Sequence, residues 1–403
     1  MKRAVITGFG IISSIGNNKN EILDSLINGK SGIIFSKKFK KYGMKSNVCG
    51  NIKLNNKINI NRKIYRFMNK SSIYAVISMI DAINDAKLSN SMVSNDRTGV
   101  IVGSGIGFYN CKNNLSFFLN KKNKKKFNPY ILIKSMPSII SACLGIYFKI
   151  KGINYSISSA CSTSSNCIGN AMEIINLGKQ DIIFAGGSEE LCFESACKFD
   201  SMNLLSNNFN NKPKKSSRSY DINRDGFVIS GGSGIIVIEE LNHALKRGAN
   251  IYSEIIGYGS SSDGKDMLYP SGDGAISCMK KALKNINCSI DYINTHGTST
   301  IVGDIIELLS IKKVFCSNIP YISSTKSMTG HSLGASGVHE IIFTILMLKN
   351  NFIAPSINIY KIDPQINGIN IITETKYCNL NTVMINNFGF GGVNVSIVMK
   401  KYI

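Results

Sequence analysis

The sequence predicts an α/β protein in two similar halves, built on largely parallel sheet. Short apolar, β-prone runs alternate along the chain with segments of helical period, the order that βαβ units produce. A strand entering a glycine turn at Ala4–Gly10 returns at Ile251–Gly257, so the pattern begins again near Asn250. Three units share the plan of strand, polar or glycine-rich turn and amphipathic helix, and each turn holds a reactive side chain: Cys161, His296, or Lys326 together with His331. Ligands in parallel sheets gather beyond the carboxyl ends of the strands, which would bring these side chains to one place. The expected halves are residues 1–250, with the cysteine, and 251–403, with the two histidines.

Composition sets the class. The 403 residues are 43% hydrophobic, enough for a large core. No uninterrupted apolar run approaches the roughly 18 residues of a membrane span, and the apolar part of MKRAVITGFGII is too short for a signal peptide. A cytoplasmic protein with no membrane association is expected. Eleven cysteines without CxxC spacing argue against a disulfide framework or a zinc ribbon and for reduced thiols. The net charge of +22 would suit nucleic acid, but lysine, asparagine and isoleucine are abundant throughout and tryptophan is absent, as A/T-rich coding would produce. The one dense basic run, Lys121–Lys126, holds no aromatic to stack on a base, so no nucleic-acid partner is expected. An acidic protein is the partner this charge favours.

Ala4–Gly10 reads as a strand and about Asn18–Leu26 as a helix; Gly8 and Gly10 lack the third glycine and the acidic strand end of a dinucleotide fingerprint. In Asn61–Lys70 the charges Arg62, Lys63 and Arg66 share one side of a helix and read as a solvated basic face. Ser71–Ala86 is a long helix whose Ile73, Val76, Ile77 and Ile80 form a stripe for packing on a sheet. Thr98–Val102 is a strand buried on both faces, and Gly103, Gly105 and Gly107 after it permit close backbone approach. The β-prone Asn154–Ser159 leads into Cys161, and helical spacing follows at Cys167, Ile168, Ala171, Met172 and Ile175 up to Gly178. Asp181–Gly187 is another buried strand, Asn207–Ser217 a lysine-rich surface loop and Gly234–Glu239 a strand. In the second half Asp291–Thr295 enters HGTST, with a helix from about Asp304, and Pro320–Thr325 enters KSMTGHSLGASG, with a helix through Leu348. Thr382–Ile385 runs into NNFGFGGVN at Asn386–Asn394, where glycines around Phe388 and Phe390 let a loop move.

Cys161 stands at a tight strand-to-helix junction, where unpaired N–H groups and the helix dipole favour a thiolate. It reads as a nucleophile; the plainer reading is one more small buried hydrophobe. Of the four histidines, His243 and His339 fall in helical segments, whereas His296 and His331 stand in turns after strands. A thiolate can accept an acyl group from a thioester, and two imidazoles can hydrogen-bond the oxygen of a second thioester as it becomes an enolate. That combination suits decarboxylative carbon–carbon bond formation. Lys326 is read either as an ion-pair partner of Asp304 or Glu307 or as a charge that tunes the histidines, the second being favoured. Asp304 and Glu307 also fit a capping box at a helix start. Phe390 is either a packing anchor or a gate.

Four segments taken together resemble the β-ketoacyl-[acyl-carrier-protein] synthases: SSACSTSSNCIGNA around Cys161, THGTST around His296, TKSMTGHSLGASG around Lys326 and His331, and NNFGFGGVN near the end. MKRAVITGFGIISSIGNN, GKQDIIFAGGSEELC and RDGFVISGG look most like the synthase I branch, with synthase II, which shares the triad, as the alternative. Thiolases, with a second cysteine, and synthases that prime from acyl-coenzyme A, with one histidine and an asparagine, fit less well. The resemblance spans essentially the whole chain. It implies a thiolase-like fold of two αβαβα halves, mixed and mostly parallel in their sheets, working as a homodimer. It implies no metal or other cofactor, the substrates being carried on the phosphopantetheine of acyl-carrier protein.

By the same resemblance Cys161 takes the acyl chain, and His296 and His331, with Lys326 beside them, assist decarboxylation of malonyl-carrier protein and the condensation. The backbone N–H groups of Cys161 and Phe390 would form the oxyanion hole, and Phe390, flanked by Gly389 and Gly391, would gate the acyl pocket. Thr298, Thr300 and Phe227 would meet the substrate, Asp304 and Glu307 would support the site, and Arg62, Lys63, Arg66, Lys122 and Lys125 would meet the carrier protein. The chain departs from the family's pattern at Val393, where threonine is usual, at Ser162 in place of alanine, at Asn166 where synthase I tends to have histidine, and at Ile106 in place of a third glycine.

Overall fold

The strand order of the sheet repeats once along the chain, and that repeat positions the site. The computed structural model describes residues 2–54, 60–106 and 129–402. The first half contributes β1 (Ala4–Ile12), β2 (Thr98–Gly103), β3 (Asn154–Tyr155), β4 (Ile182–Glu189) and β5 (Gly232–Glu240). The second contributes β6 (Ser253–Ser262), β7 (Tyr292–Asn294), β8 (Tyr321–Ser323), β9 (Thr382–Gly389) and β10 (Val393–Lys401). Their spatial order is β8-β7-β9-β10-β6-β1-β5-β4-β2-β3. Outward from the middle, each half therefore runs through its own first, fifth, fourth, second and third strands. β2 lies parallel to β3 and β4, and β7 parallel to β8 and β9. The other pairings are antiparallel, including the three-residue seam between Ala4–Ile6 and Ser253–Ile255 that joins the halves. The sheet is thus mixed, and its parallel parts are those whose strand ends carry the reactive turns.

Helices occupy matching places in the two repeats: α1 (Lys70–Asp85), α2 (Ile139–Phe148) and α3 (Thr163–Asn176), then α4 (Asp273–Leu283), α5 (Ile301–Phe315) and α6 (Ser336–Asn350). Successive strand residues point to opposite faces, and here both faces are covered. Ile183, Ala185, Ile236 and Ile238 pack with Cys167, Ile168 and Ala171 of α3 and Ile341 and Ile345 of α6, while Ile182, Phe184, Ile235 and Val237 pack with α1 and α2. In the second half Val383, Ile385 and Ile397 join the α3 and α6 cluster, and Met384, Ile293 and Val398 pack with α4 and α5. The layers are helix, sheet, helix, sheet, helix. α6 is buried at every residue from Ser336 to Leu348, its apolar side chains facing all round as befits a helix in a middle layer, with Ser336, His339, Glu340 and Thr344 buried among them.

The helix expected at Ser71–Ala86 is α1, with Asn69 capping it by accepting the Ser72 N–H. Of the predicted stripe Val76 is buried, but Ile73, Ile77 and Ile80 are only half-buried, and the rest of the buried face is Ser71, Ser72, Ala75, Ser78, Met79 and Ala82. Small side chains win because the helix lies almost on the backbone of β1. A Cβ added at Gly10 would stand 2.0 Å from the Ser78 carbonyl oxygen. The isoleucines move to the flanks, where Ile73 and Ile80 still cover the outer cluster.

Other boundaries shift modestly. The helix expected from Asp304 begins at Ile301, and Asn154–Ser159 is strand only at Asn154–Tyr155, giving way to a 3-10 turn at Ala160–Ser162. The loop Asn207–Ser217 ends in buried Ser216 and Ser217. Gly107 and the run Lys121–Lys126, with Lys122 and Lys125, lie outside the described residues. The described cysteines are free, as expected. Among the described residues no helix is long and apolar enough to cross a membrane.

Gly10→Ala is expected to lower unfolding stability by about 1–3 kcal/mol, because the methyl meets backbone that can yield only if α1 lifts from the sheet. Denaturant unfolding checks this; a variant as stable as the parent would refute the close approach.

Candidate active site

Cys161 follows β3, the third strand of its half, and His331 follows β8, the third strand of the other; His296 follows β7. The repeat thus brings three turns to the middle of the molecule. Each contains a non-glycine residue in the left-handed region, Ala160 at φ 49, Ser299 at φ 72 and Leu333 at φ 54, a conformation held only where surrounding structure determines it. At the cysteine, Thr163 does this: its hydroxyl donates to the Ala160 carbonyl at 2.8 Å and accepts the Ser159 N–H at 2.9 Å.

The Cys161 sulfur and one ring nitrogen from each of His296 and His331 lie within 4.8 Å of one another. His331 Nε2 is 3.0 Å from the sulfur, and its Nδ1 is 2.9 Å from the hydroxyl of Ser336, the first residue of α6. The two imidazoles meet edge to face, their centroids 5.3 Å apart. His296 Nδ1 is buried with no hydrogen-bond partner among the described residues, so that nitrogen's hydrogen-bonding capacity is open there. The same three side chains could present ligand atoms to a metal ion, which would then occupy the sulfur that an acyl group needs.

All three line a cavity of about 530 Å³, together with Phe227, Thr298, Thr300, Gly389 and Phe390. Phe227 stands edge-on to His331 at 5.4 Å, and the Thr298 and Thr300 hydroxyls are 3.1 Å apart. Gly389 passes so close to the nucleophile that a Cβ there would lie 3.2 Å from Cys161 N. Gly391 does not line the cavity; it turns the loop at φ 80 and donates its N–H to the Met267 carbonyl at 2.9 Å. Phe390 is 37% exposed, at the cavity's edge rather than in the core.

The turn that carries His296 hangs from α5. Glu307 accepts the His296 and Gly297 N–H groups, both at 2.8 Å, and Asp304 accepts those of Ser299 and Tyr220, both at 3.0 Å. The capping-box reading is therefore only partly right. Asp304 also takes the Thr300 N–H at 3.3 Å, as a capping carboxylate does, but Glu307 reaches back to the histidine turn. Burial raises both carboxyls, Asp304 to about 6 and Glu307 to about 7.

Lys326 pairs with neither of them. Its ammonium is buried against Glu340 of α6, whose other oxygen accepts the Asn387 amide at 2.6 Å. Lys326 sits on the short helix Lys326–Thr329, and Glu340 is the only carboxylate that α6 offers. The lysine does not line the cavity, yet its charge reaches it. Burial first, and then Lys326, hold His296 and His331 well below the usual imidazole range, so both are neutral at neutral pH.

The expected thiolate is not the resting state. Burial pushes the Cys161 thiol up to about 12, opposed by Lys326 and by the N–H groups of Phe390 and of Cys161 itself, which both face the sulfur. Desolvation outweighs the helix start, so the thiol must hand its proton to a neighbour before or during attack. Glu189, raised to about 7 by burial, accepts from Ser104 Oγ and Gly105 N at 2.7 Å and from Gly334 N at 3.2 Å. It ties the glycine turn after β2 to the loop that carries His331.

Arg62, Lys63 and Arg66 are exposed on and beside the short helix Arg62–Tyr65, and none lines the cavity. Arg66 stacks over Phe67 and Tyr130. Asn166 donates to Ser159 Oγ and accepts from Tyr258 OH, both at 2.7 Å, linking α3 to β6. Ile106 packs beside Leu333 in the cluster that also holds Phe227. Sequence reading passed over Glu189, Ser336, Glu340 and Asn387. For Glu340 a signal was present, a lone carboxylate in an apolar helix; the others look like ordinary polar residues until folded.

Comparison with known proteins agrees with this geometry. The profile of the beta-ketoacyl synthase N-terminal domain matches residues 1–244 and that of the C-terminal domain residues 252–360. The 3-oxoacyl-[acyl-carrier-protein] synthase 1 of Buchnera aphidicola subsp. Baizongia pistaciae is 59% identical, with 100% of both chains covered. That of Escherichia coli (strain K12) is 57% identical over 100% of this chain and 99% of its own. The 3-oxoacyl-[acyl-carrier-protein] synthase 2 of Rhizobium meliloti, also matched over 100% and 99%, is 34% identical. Among solved structures, a beta-ketoacyl synthase from Burkholderia phymatum STM815 superposes with TM-score 0.94 at 32% identity, covering 100% of both chains. AntDE:AntF, a type II PKS acyl-carrier protein in complex with its ketosynthase, gives 0.89 at 28%, again over 100% of both. The chain belongs to the β-ketoacyl synthase family.

Proposed function

We propose that Cys161, His296 and His331 divide the family's decarboxylative condensation between them. The enzyme joins an acyl group to malonyl-acyl-carrier protein, giving β-ketoacyl-acyl-carrier protein, carbon dioxide and free carrier in fatty-acid elongation, and it is of the synthase 1 type. The observation that carries the assignment of residues is the meeting of one sulfur and two neutral imidazoles from three separate turns, with two backbone N–H groups at the sulfur.

In the first stage His331 Nε2 takes the thiol proton as the sulfur attacks the acyl thioester. The oxyanion is held by the Cys161 and Phe390 N–H groups, and the carrier thiolate leaves with the proton. In the second stage the carboxylate of the malonyl thioester departs as carbon dioxide. The electron pair it leaves forms an enolate whose oxygen accepts hydrogen bonds from His296 and His331. The enolate carbon then attacks the acyl carbonyl on Cys161, and the cysteine sulfur leaves as thiolate and takes up one proton from solvent, by way of His331, to restore the thiol. Ser336 suits both stages, since its hydroxyl can accept from His331 Nδ1–H or donate to a bare Nδ1, and so supports either tautomer. Thr298, Thr300 and Phe227 line the approach for the pantetheine arm and acyl chain. Thiol, imidazoles and N–H groups supply every transfer, so the scheme uses no cofactor.

Acyl-carrier protein is the proposed partner, met by Arg62, Lys63 and Arg66 with Lys122 and Lys125, on a chain of net charge +22. A homodimer is supported by β3, an edge strand exposed at both residues and flanked by exposed Ile146, which a second copy would extend and cover. The cytoplasm is the proposed location.

After incubation with acyl-carrier-protein thioester, mass spectrometry is expected to find the acyl mass on the peptide holding Cys161; Cys161→Ala should stay folded, carry no acyl mass and lose condensation. Retained condensation would end the mechanism. Because neutral imidazoles are needed and both titrate well below about 6.5, the rate should hold as pH falls through that value. Lys326→Met removes a charge that lowers both histidines and the thiol, so its acid limb should move up toward about 6.5 and Cys161 should alkylate more slowly at a given pH; an unmoved profile would deny Lys326 this role. Reversing Arg62 and Arg66 together to Glu should raise KM for acyl-carrier protein about 3- to 10-fold and flatten its salt dependence, leaving kcat nearly unchanged; an unchanged KM would place docking elsewhere.

A further inference from the structure

We infer that Ser162 is a positioning residue that fastens the loop carrying Phe390 to the nucleophile turn and thereby sets how often that loop opens; the inference rests on the proposal that Phe390 gates the acyl pocket, as the family resemblance implies. Ser162 directly follows the nucleophile and is fully buried. Its hydroxyl lies 2.9 Å from the Asn387 carbonyl and 2.7 Å from the Val393 carbonyl. Those carbonyls stand on the two legs of the loop, Asn387 on β9 running in and Val393 on β10 running out. One hydroxyl proton shared between two acceptors pins both legs at a single point beside Cys161.

The loop's other fastenings are of a different kind. At its tip Gly391 N–H donates to Met267, and the Gly392 carbonyl accepts from Asp263 N–H at 2.8 Å, both on a stretch where Met267 is itself 73% exposed. Below, the Asn387 side chain continues to Ser165 and Glu340. Val393 adds no hydroxyl where a threonine would. Ser162 is thus the buried tie from the cysteine's own turn to the loop backbone. While it holds, the Phe390 N–H stays at the sulfur, where an oxyanion forms; an opening that displaces Asn387 or Val393 breaks one of these O–H bonds.

Hydrogen–deuterium exchange on the full-length protein reads the tie directly. In Ser162→Ala, amide exchange in the peptide spanning 387–394 is expected to speed up about 2- to 10-fold, the loss of one net hydrogen bond. Ser164→Ala is the comparison: it removes a fully buried hydroxyl of α3, the helix that Ser162 precedes, which accepts the Val338 N–H of α6 at 3.0 Å, and it should lower thermal stability without speeding the loop. The half-reactions should split by a similar factor in Ser162→Ala, with acyl loading of Cys161 faster and condensation slower. Unchanged exchange in Ser162→Ala, equal acceleration in Ser164→Ala, or half-reactions that slow together would each overturn the inference. If the parent protein itself failed to condense, the functional reading would fall while the exchange result still decided the tie.

Discussion

The buried pair of Lys326 and Glu340 is the interaction on which the chemistry of the cavity depends. Removing two charges from water costs several kcal/mol each, recovered only when geometry and further hydrogen bonds are good. Here Glu340 also receives the Asn387 amide, so the pair is part of a network that reaches the legs of the Phe390 loop. Its positive member lowers His296 and His331 together and opposes the rise of the Cys161 thiol. One charge thus favours imidazoles that donate as neutral groups and a sulfur that can be ionised, while its own hydrogen bond goes to Glu340.

The supports of the site share a habit. Glu307, Asp304 and Glu189 are buried carboxylates that spend their oxygens on backbone N–H groups of the reactive turns. Such acceptors satisfy donors that irregular backbone would otherwise bury unpaired. They help the turns of His296 and His331 hold Ser299 and Leu333 in the left-handed region, as Thr163 does for Ala160 at the cysteine.

Much of this was legible in the sequence because strands, glycine turns and apolar helices announce themselves locally. The repeat of Ala4–Gly10 at Ile251–Gly257, and the placing of Cys161, His296 and His331 after strands, led to convergence in one cavity. What stayed hidden depended on distance through space. The isoleucine stripe of α1 misled because helical period does not show how closely a helix lies on glycines of β1. Lys326 was offered Asp304 and Glu307 because those acids stand near reactive turns, whereas its partner is 14 residues along its own chain. The thiolate expectation weighed the helix start, a local property, and missed desolvation, which belongs to the whole fold.

The shared middle layer has a consequence for how such a chain can be divided. α3 from one half and α6 from the other pack in a single cluster that also takes strands from both sides. Cut at the short seam between β1 and β6, either fragment would turn a nearly unbroken oily surface toward water, and neither would own a complete cavity. The two repeats therefore depend on each other in physical terms, and a substitution in the central layer has to suit the strands on both sides of it.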